Sequence, residues 1–336
     1  MKDIELPRKV LVGENALYEA DELVFELGLR GKPLILCDDN TRGIAGDIVS
    51  QQLDCEAEVT ETSSEKEIKD YASQVTEENR GYVVGVGGGR VIDTGKLVAF
   101  ESKTPFISVP TSASHDGIAS PQVSIKQEKP LSLRVHCPLG VLGDTKIIGK
   151  APEKLLSAGC ADAISNFTAV LDWELAHQKR GEYFGDYAAA LSRLSAEIVI
   201  QKAEKISGDV SILVEALISS GVAIGIAGSS RPCSGAEHMF SHTLDLICEK
   251  PALHGHQCGV GSILTACLHN ADWLKIKNAL ENCGAPTCAG ELGIADETVI
   301  EALVRAHDIR NRHTILGDGL TEDEAWGVAR KTGVVE

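Results

Sequence analysis

The chain has 336 residues, more than a single ordinary core of ~100–200 residues accommodates, so two domains are expected. Apolar residues at 43% and charged residues at 24% exclude a disordered chain. Asp plus Glu outnumber Lys plus Arg by 49 to 32, and the formal charge of -17 excludes a broad nucleic-acid-binding surface.

The opening MKDIELPRKV alternates charge with apolar residues, so no targeting segment is expected. Apolar runs of four to six residues then alternate with stretches of helical period. The run Pro33 to Cys37 ends in Asp38-Asp39-Asn40, Tyr82 to Val86 ends in Gly87-Gly88-Gly89, and Phe106 to Val109 ends in Pro110-Thr111. These read as buried parallel strands, and the edge carrying their C-terminal ends is where open α/β sheets bind ligands. From Ser120 to Val141 the texture changes to period-two stretches with a Lys-Pro turn, which predicts a hairpin or paired short strands closing the first domain.

Beyond Pro152 strand signals disappear. Helical period marks Glu153–Trp173, Asp186–Lys205, Asp209–Ala227, Ala236–Cys248 and Gly259–Leu268, so an α/β domain over 1–150 and a helical domain over 151–336 are expected. The longest apolar stretch, Ala216 to Ala227, is interrupted by Ser219, Ser220, Gly221 and Gly225 and falls short of the ~18 residues of a membrane span, so no membrane insertion is expected. The ten cysteines form no C-x-x-C pair and read as reduced thiols of a cytoplasmic protein.

The turn Gly85-Val86-Gly87-Gly88-Gly89-Arg90-Val91-Ile92-Asp93 follows a strand and opens a helix. Glycines let the backbone approach an anion, and the free N–H groups and positive dipole end of the helix start stabilise a phosphate. The turn departs from G-x-G-x-x-G, because Arg90 stands where the third glycine would be. A second turn, Val109 to Asp116, groups the hydroxyls of Thr111, Ser112 and Ser114 where they can bond phosphate or ribose oxygens. Asp38 either accepts from an adenosine ribose or caps the next helix.

Ligand-type side chains gather in the helical half. Asp162 lies among small apolar residues, where a carboxylate is expensive to bury unless paired or metal-bound. His238 and His242 project from one helical face, and His254 and His256 follow. Two imidazoles and one carboxylate suit a catalytic zinc that keeps a fourth position open. His115, His136, His177, His269, His307 and His313 have no such grouping, although His115 neighbours Asp116.

The ordered segments GVGGGRVID, VPTSASHDGIASP, AGCADAISN, PCSGAEHMFSHTLD and LHGHQCGVG resemble the sn-glycerol-1-phosphate dehydrogenase family, within the superfamily of iron-dependent alcohol dehydrogenases, glycerol dehydrogenase and dehydroquinate synthase. The resemblance implies an N-terminal Rossmann-like α/β domain, an all-helical C-terminal domain and an active site in the cleft between them. It implies NAD or NADP held by Gly87 through Asp93, by Thr111 through Ser114 and by Ser120. It places one zinc ion on Asp162, His238 and His254, with His254 preferred to His256 by its spacing of 16 residues from His238. Asp116, Asp162 and His242 are the implied catalytic and substrate-contacting residues. The implied reaction delivers hydride to C2 of dihydroxyacetone phosphate and yields sn-glycerol 1-phosphate for archaeal-type ether lipids.

A phosphorylated substrate needs a local positive pocket in so acidic a protein, and Arg310, Arg312 and Lys146 are the candidates. The nearest rival activity is a glycerol or other polyol dehydrogenase; a dehydroquinate synthase-type lyase and a non-catalytic binding protein are more remote. A homo-oligomer is compatible with such a fold, without an interface signature in the sequence.

Overall fold

The computed structural model describes residues 4–125 and 131–336. Eight strands form: β1 Lys9–Gly13, β2 Pro33–Cys37, β3 Ala57–Val59, β4 Tyr82–Gly87, β5 Phe106–Pro110, β6 Gln122–Ile125, β7 Leu131–Arg134 and β8 Gly140–Asp144. Six of them make one parallel sheet in the order β1-β8-β5-β4-β2-β3. Every residue of β2, β4, β5 and β8 is buried, which is why these strands read as unbroken apolar or glycine-containing runs instead of alternating. Ile35, Val84, Ile107 and Leu142 pack one face of the sheet, and Leu34, Leu36, Val83 and Phe106 pack the other.

The chain leaves β2 for β3 on one side and returns to β4 on the other. That reversal opens a crevice beyond the carboxyl ends of β2 and β4, where Asp38 and the Gly87 to Gly89 turn lie. The expected hairpin exists as the antiparallel pair β6–β7, with Gln122 opposite Arg134; its Lys129-Pro130 turn lies outside the described residues. The paired region does not run on to Val141. Gly140–Asp144 instead enters the parallel sheet between β1 and β5, because its five residues are buried throughout, whereas a two-stranded ribbon has no second layer to cover such a strand.

After Asp144 the described residues form helices and connecting turns, without a further strand. Two helices are longer than expected. The one begun at Glu153 continues to Arg180 and ends at Gly181 in the left-handed region (φ 66°). The one expected from Gly259 begins at His254, so that both His254 and His256 are helical. Gly255 obscures that start in the sequence, yet it serves close packing: a Cβ there would lie 2.0 Å from the Ala158 carbonyl oxygen. No helix among the described residues is long and apolar enough to cross a membrane. Ser211–Ala227 is apolar on most of its surface, apart from the exposed Glu215, because it is largely buried within the helical part.

The α/β part and the helical part share a core. Ala113, Ile118, Val141 and Ile148 belong to the same buried cluster as Ala161, Ile164, Leu217, Met239 and Leu264. Burial of this joint apolar surface holds the loop after β5, which carries Ala113 and Ile118, against the helices.

Candidate active site

The glycine turn has the form an anion site requires. β4 ends at Gly87 and the helix Gly89–Ser102 starts with Gly88 as its N-cap, which carries no side-chain oxygen to occupy the first N–H groups. A Cβ on Gly87 would sit 2.7 Å from Val91 Cβ, so that position requires glycine, and one on Gly89 would force the tip of the His115 ring aside. Ser112 Oγ, buried and without a hydrogen-bond partner, would lie 3.7 Å from a Cβ on Gly88. Free helix-start amides beside an unsatisfied hydroxyl fit a dinucleotide phosphate.

The other expected cofactor positions surround this turn in different ways. Val91, Ile92 and Ala113 are fully buried, so only their backbone can serve a ligand. Asp93 lies 3.3 Å from the buried Lys96 ammonium, which also donates to the Gln122 carbonyl at 2.7 Å. Thr111 N–H donates to Gly87 O (3.0 Å), tying the two turns together, and Ser120 Oγ accepts from Gln122 N–H at 3.3 Å. Ser114 is half-buried on the second turn. Asp38 caps the short helical turn after β2 by accepting from Thr41 N–H at 2.9 Å, and its other oxygen faces Arg90 at 3.4 Å.

Three helices bring the metal-type residues together. Asp162 comes from Glu153–Arg180, His238 from Ala236–Ile247 and His254 from the first residue of His254–Leu268. Asp162 Oδ1 lies 3.8 Å from Nε2 of His238 and 3.8 Å from Nε2 of His254. The two rings are 5.0 Å apart between centroids. His256 is turned away and contacts Ser157 Oγ at 2.9 Å.

The electrostatics of this cluster suit a cation. Burial, then the neighbouring Asp116 carboxylate, push Asp162 well above the usual carboxylate range. Burial, then His242, hold His238 well below the usual imidazole range, and burial followed by His238 does the same to His254. Neutral imidazoles with available lone pairs beside a buried carboxylate are donors of the kind that could hold a zinc ion.

Sequence reasoning missed the groups that orient these donors. His238 Nδ1–H donates to Glu237 Oε1 at 2.9 Å, which directs Nε2 at Asp162. Glu237 is fully buried, accepts from Gly235 N–H at 2.6 Å and from Thr168 Oγ1 at 3.3 Å, and is pushed up by burial to about 7. His254 Nδ1 contacts Ser241 Oγ at 3.0 Å, and Gln257 Nε2 donates to that hydroxyl at 3.0 Å and to Asp245 Oδ1 at 3.1 Å. The available signal was a glutamate and a glutamine beside each histidine motif in otherwise apolar segments. Glu237→Gln is expected to weaken zinc binding by ~10–100-fold, the usual cost of losing an outer-shell carboxylate, as read by competition with a chromogenic chelator. Unchanged affinity would remove Glu237 from the site.

The expected substrate contacts border the same cluster. Asp116 N–H donates to Asp162 Oδ2 at 3.1 Å, and its own carboxyl is pushed up to about 6 by burial, with Lys96 opposing and Asp93 adding. His242 packs its ring on that of His254 at 5.5 Å, and its Nε2 accepts from Arg310 at 3.0 Å. His242 Nδ1 is buried and 3.9 Å from Asp245 Oδ2. Burial is the largest cause of its lowered basicity.

Of the three cationic candidates, two meet here. Arg310 also lies 3.5 Å from Ser234 Oγ, while Arg312 donates to Ser230 Oγ at 2.9 Å and to the Ser234 carbonyl. Burial, then the charges of Arg231 and Arg310, lower Arg312 to about 10. Lys146 is exposed on the Thr145–Ile148 turn of helix.

Comparison with known proteins is consistent with this arrangement. Residues 11–152 match the family described as iron-containing alcohol dehydrogenase. The chain is 49% identical to a glycerol-1-phosphate dehydrogenase (NAD(P)+) of Methanococcoides burtonii, covering 99% of this chain and 97% of that one. It is 47% identical to the protein of the same name from Pyrococcus abyssi, covering 99% of both. Among solved structures it resembles a probable glycerol dehydrogenase from Sinorhizobium meliloti 1021, with a TM-score of 0.79 at 22% identity over the full length of both chains. A sulfoacetaldehyde reductase from Bifidobacterium kashiwanohense in complex with NAD+ gives a TM-score of 0.77 at 16% identity, likewise over the full length of both. The structural likenesses establish the fold, and the near-full-length identity of almost one half establishes that the chain belongs to the glycerol-1-phosphate dehydrogenase family.

Proposed function

We infer that this protein is an NAD(P)-dependent, zinc-dependent glycerol-1-phosphate dehydrogenase that reduces dihydroxyacetone phosphate to sn-glycerol 1-phosphate in the cytoplasm for ether phospholipid synthesis. In this reading residues 1–150 bind the dinucleotide and residues 151–336 bind metal and substrate. The observation that carries it is the convergence of Asp162, His238 and His254 with two half-buried arginines, Arg310 and Arg312. A zinc ion on those three residues would supply a Lewis acid for the carbonyl oxygen, and a nicotinamide cofactor would supply the hydride.

The remaining chemistry belongs to the chain. The free amides of Gly89 and Arg90, with Ser112 Oγ, hold the dinucleotide phosphates. Asp38 suits a ribose 2′-hydroxyl and the adjacent Arg90 suits a 2′-phosphate, which supports the use of both NAD and NADP. Asp116 orients a substrate hydroxyl beside Asp162. When Arg310 turns to the substrate phosphate it frees His242 Nε2, which then hydrogen-bonds the oxygen at C2 or its neighbour and helps deliver the proton that completes the reduction. Arg310 and Arg312 bind the substrate phosphate, opposing the mean field of a protein of charge -17. They favour this reading over a polyol dehydrogenase, which has no anion to hold.

Nicotinamide absorbance during incubation with dihydroxyacetone phosphate, compared with dihydroxyacetone, tests the activity. Efficient turnover of the unphosphorylated ketone, with none of the phosphate, would overturn it. Arg310→Met is expected to raise KM for dihydroxyacetone phosphate by ~30-fold or more, from losing a charge-assisted hydrogen bond of about 2 kcal/mol. An unchanged KM would move the phosphate away from Arg310.

A further inference from the structure

The loop that follows β3 holds a polar clamp that the reading above does not use. Thr60 N–H donates to the Cys37 carbonyl at 2.8 Å, so the loop leaves the sheet beside the end of β2, next to Asp38. Thr60 to Ser63 then converge on one half-buried side chain, Glu67, in the first turn of the helix Glu65–Glu77. Oε1 accepts from Thr60 Oγ1 at 3.0 Å and from Glu61 N–H at 2.8 Å. Oε2 accepts from Thr62 N–H at 3.0 Å, from Thr62 Oγ1 at 2.9 Å and from Ser63 N–H at 2.5 Å. Burial raises the Glu67 carboxyl, but the bonds from Glu61, Thr62 and Thr60 outweigh it and hold the group below the usual carboxylate range. The helix itself does not need this clamp, because Ser64 Oγ already caps it by accepting from Glu67 N–H at 3.3 Å.

The clamped loop meets the cofactor helix Gly89–Ser102 at two points. Arg90 Nη1 donates to the Glu61 carbonyl, and Thr94 Oγ1 donates to Ser63 Oγ at 2.6 Å. Arg90 Nη2 faces Asp38 Oδ2 at 3.4 Å. The guanidinium therefore spans from a carbonyl that Glu67 fixes to the carboxylate that suits a ribose. A long side chain already held in place loses less freedom when its ligand arrives.

We propose that Glu67 is a positioning residue for coenzyme choice: by clamping residues 61–63 it holds the Glu61 carbonyl on Arg90 and keeps the guanidinium set for the 2′-phosphate of NADP. This rests on the reading of Asp38 and Arg90 given above. Glu67 itself touches no coenzyme and acts through the loop. Replacing its carboxylate by an amide, whichever way the amide turns, sets an NH2 group against one or two of the backbone N–H groups it now accepts from, so the clamp opens.

Calorimetric titration of the wild type, Glu67→Gln and Arg90→Met with NADP+ and with NAD+ reads the ratio of the two Kd values. Glu67→Gln is expected to raise that ratio, NADP+ over NAD+, by about 5-fold, the cost of newly immobilising one long side chain on binding. Its kcat with NADH and its KM for dihydroxyacetone phosphate should stay at wild-type values, since the clamp is remote from the metal cluster and from Arg310. Arg90→Met, which deletes the charge, should raise the ratio by ~30-fold or more. A ratio raised by Arg90→Met and unchanged by Glu67→Gln would overturn the proposal and leave Arg90 at the 2′-phosphate. A ratio unchanged by Arg90→Met would overturn that reading and the proposal together. A rise in Glu67→Gln matched by a fall in kcat or a rise in KM for dihydroxyacetone phosphate would reduce Glu67 to a brace of the fold and also overturn it. Should that variant fail to fold, amide hydrogen exchange of the wild type decides: greater protection of residues 61–63 with NADP+ than with NAD+ supports the proposal, and equal protection rejects it.

Discussion

Asp162→Asn is expected to lower kcat by about a thousandfold, the loss of ~4 kcal/mol of transition-state stabilisation when the Lewis acid is no longer held. The same substitution should leave the metal-free protein as stable as the wild type or more so. Burial and Asp116 push the Asp162 carboxyl toward its neutral form, so a neutral amide of similar shape removes an unfavourable charge from the metal-free site. The stability difference appears on adding zinc. Wild-type protein should gain ~4 kcal/mol at a free zinc concentration of about 1,000 Kd, and the variant should gain almost none. Denaturant unfolding with and without a chelator measures this. A variant that retains both turnover and the zinc-dependent gain would remove Asp162 from the ligand set.

Gly159→Ala is expected to destabilise the protein by about 3 kcal/mol, the upper part of the usual overpacking range, and to impair cofactor binding as well. A Cβ at Gly159 would stand 1.8 Å from the Ala113 carbonyl oxygen and 3.2 Å from Ser114 Cα. Neither obstacle is a flexible side chain that can rotate away, so the loop carrying Thr111 to Asp116 has to move. Displacing that loop breaks the approach that lets Asp116 N–H reach Asp162 Oδ2 at 3.1 Å. The matching pinch is on the other side, where a Cβ on Gly255 would press on the Ala158 carbonyl oxygen. The small residues at Ala158-Gly159 thus bring the Thr111 to Asp116 loop and the His254 helix close on either side of this helix. Equilibrium unfolding and the KM for the nicotinamide cofactor check this; wild-type values for both would show that the loop accommodates the methyl group.

Several elements were legible in the sequence because each rests on a local regularity. β2, β4 and β5 were visible as buried runs, and the glycine turn after β4 was visible because its residues need close backbone approach. Asp162 stood out because a carboxylate is costly to bury without a charged partner, and His238, His242, His254 and His256 because they cluster within 19 positions; the choice of Asp162, His238 and His254 as one set came from the family resemblance. Other features were not local. Gly140–Asp144 is five ordinary residues, and its place between β1 and β5 depends on partners more than 30 residues away on one side and more than 120 on the other. The start of the His254 helix was hidden by Gly255, whose role depends on Ala158 of another helix.

What the sequence determined alone was the inventory: which segments can bury themselves on both faces of a sheet, which turn leaves amides free, and which side chains have lone pairs for an ion. Tertiary structure decided how that inventory is used. It turned His256 to Ser157 and His254 to the cluster, set Glu237 behind His238, and placed Arg310 on His242 while leaving Lys146 exposed. The physical reason is the range of the interactions. Backbone propensity and hydrophobic period act over a few residues, whereas charge, coordination and close packing act between atoms that only the folded chain makes neighbours.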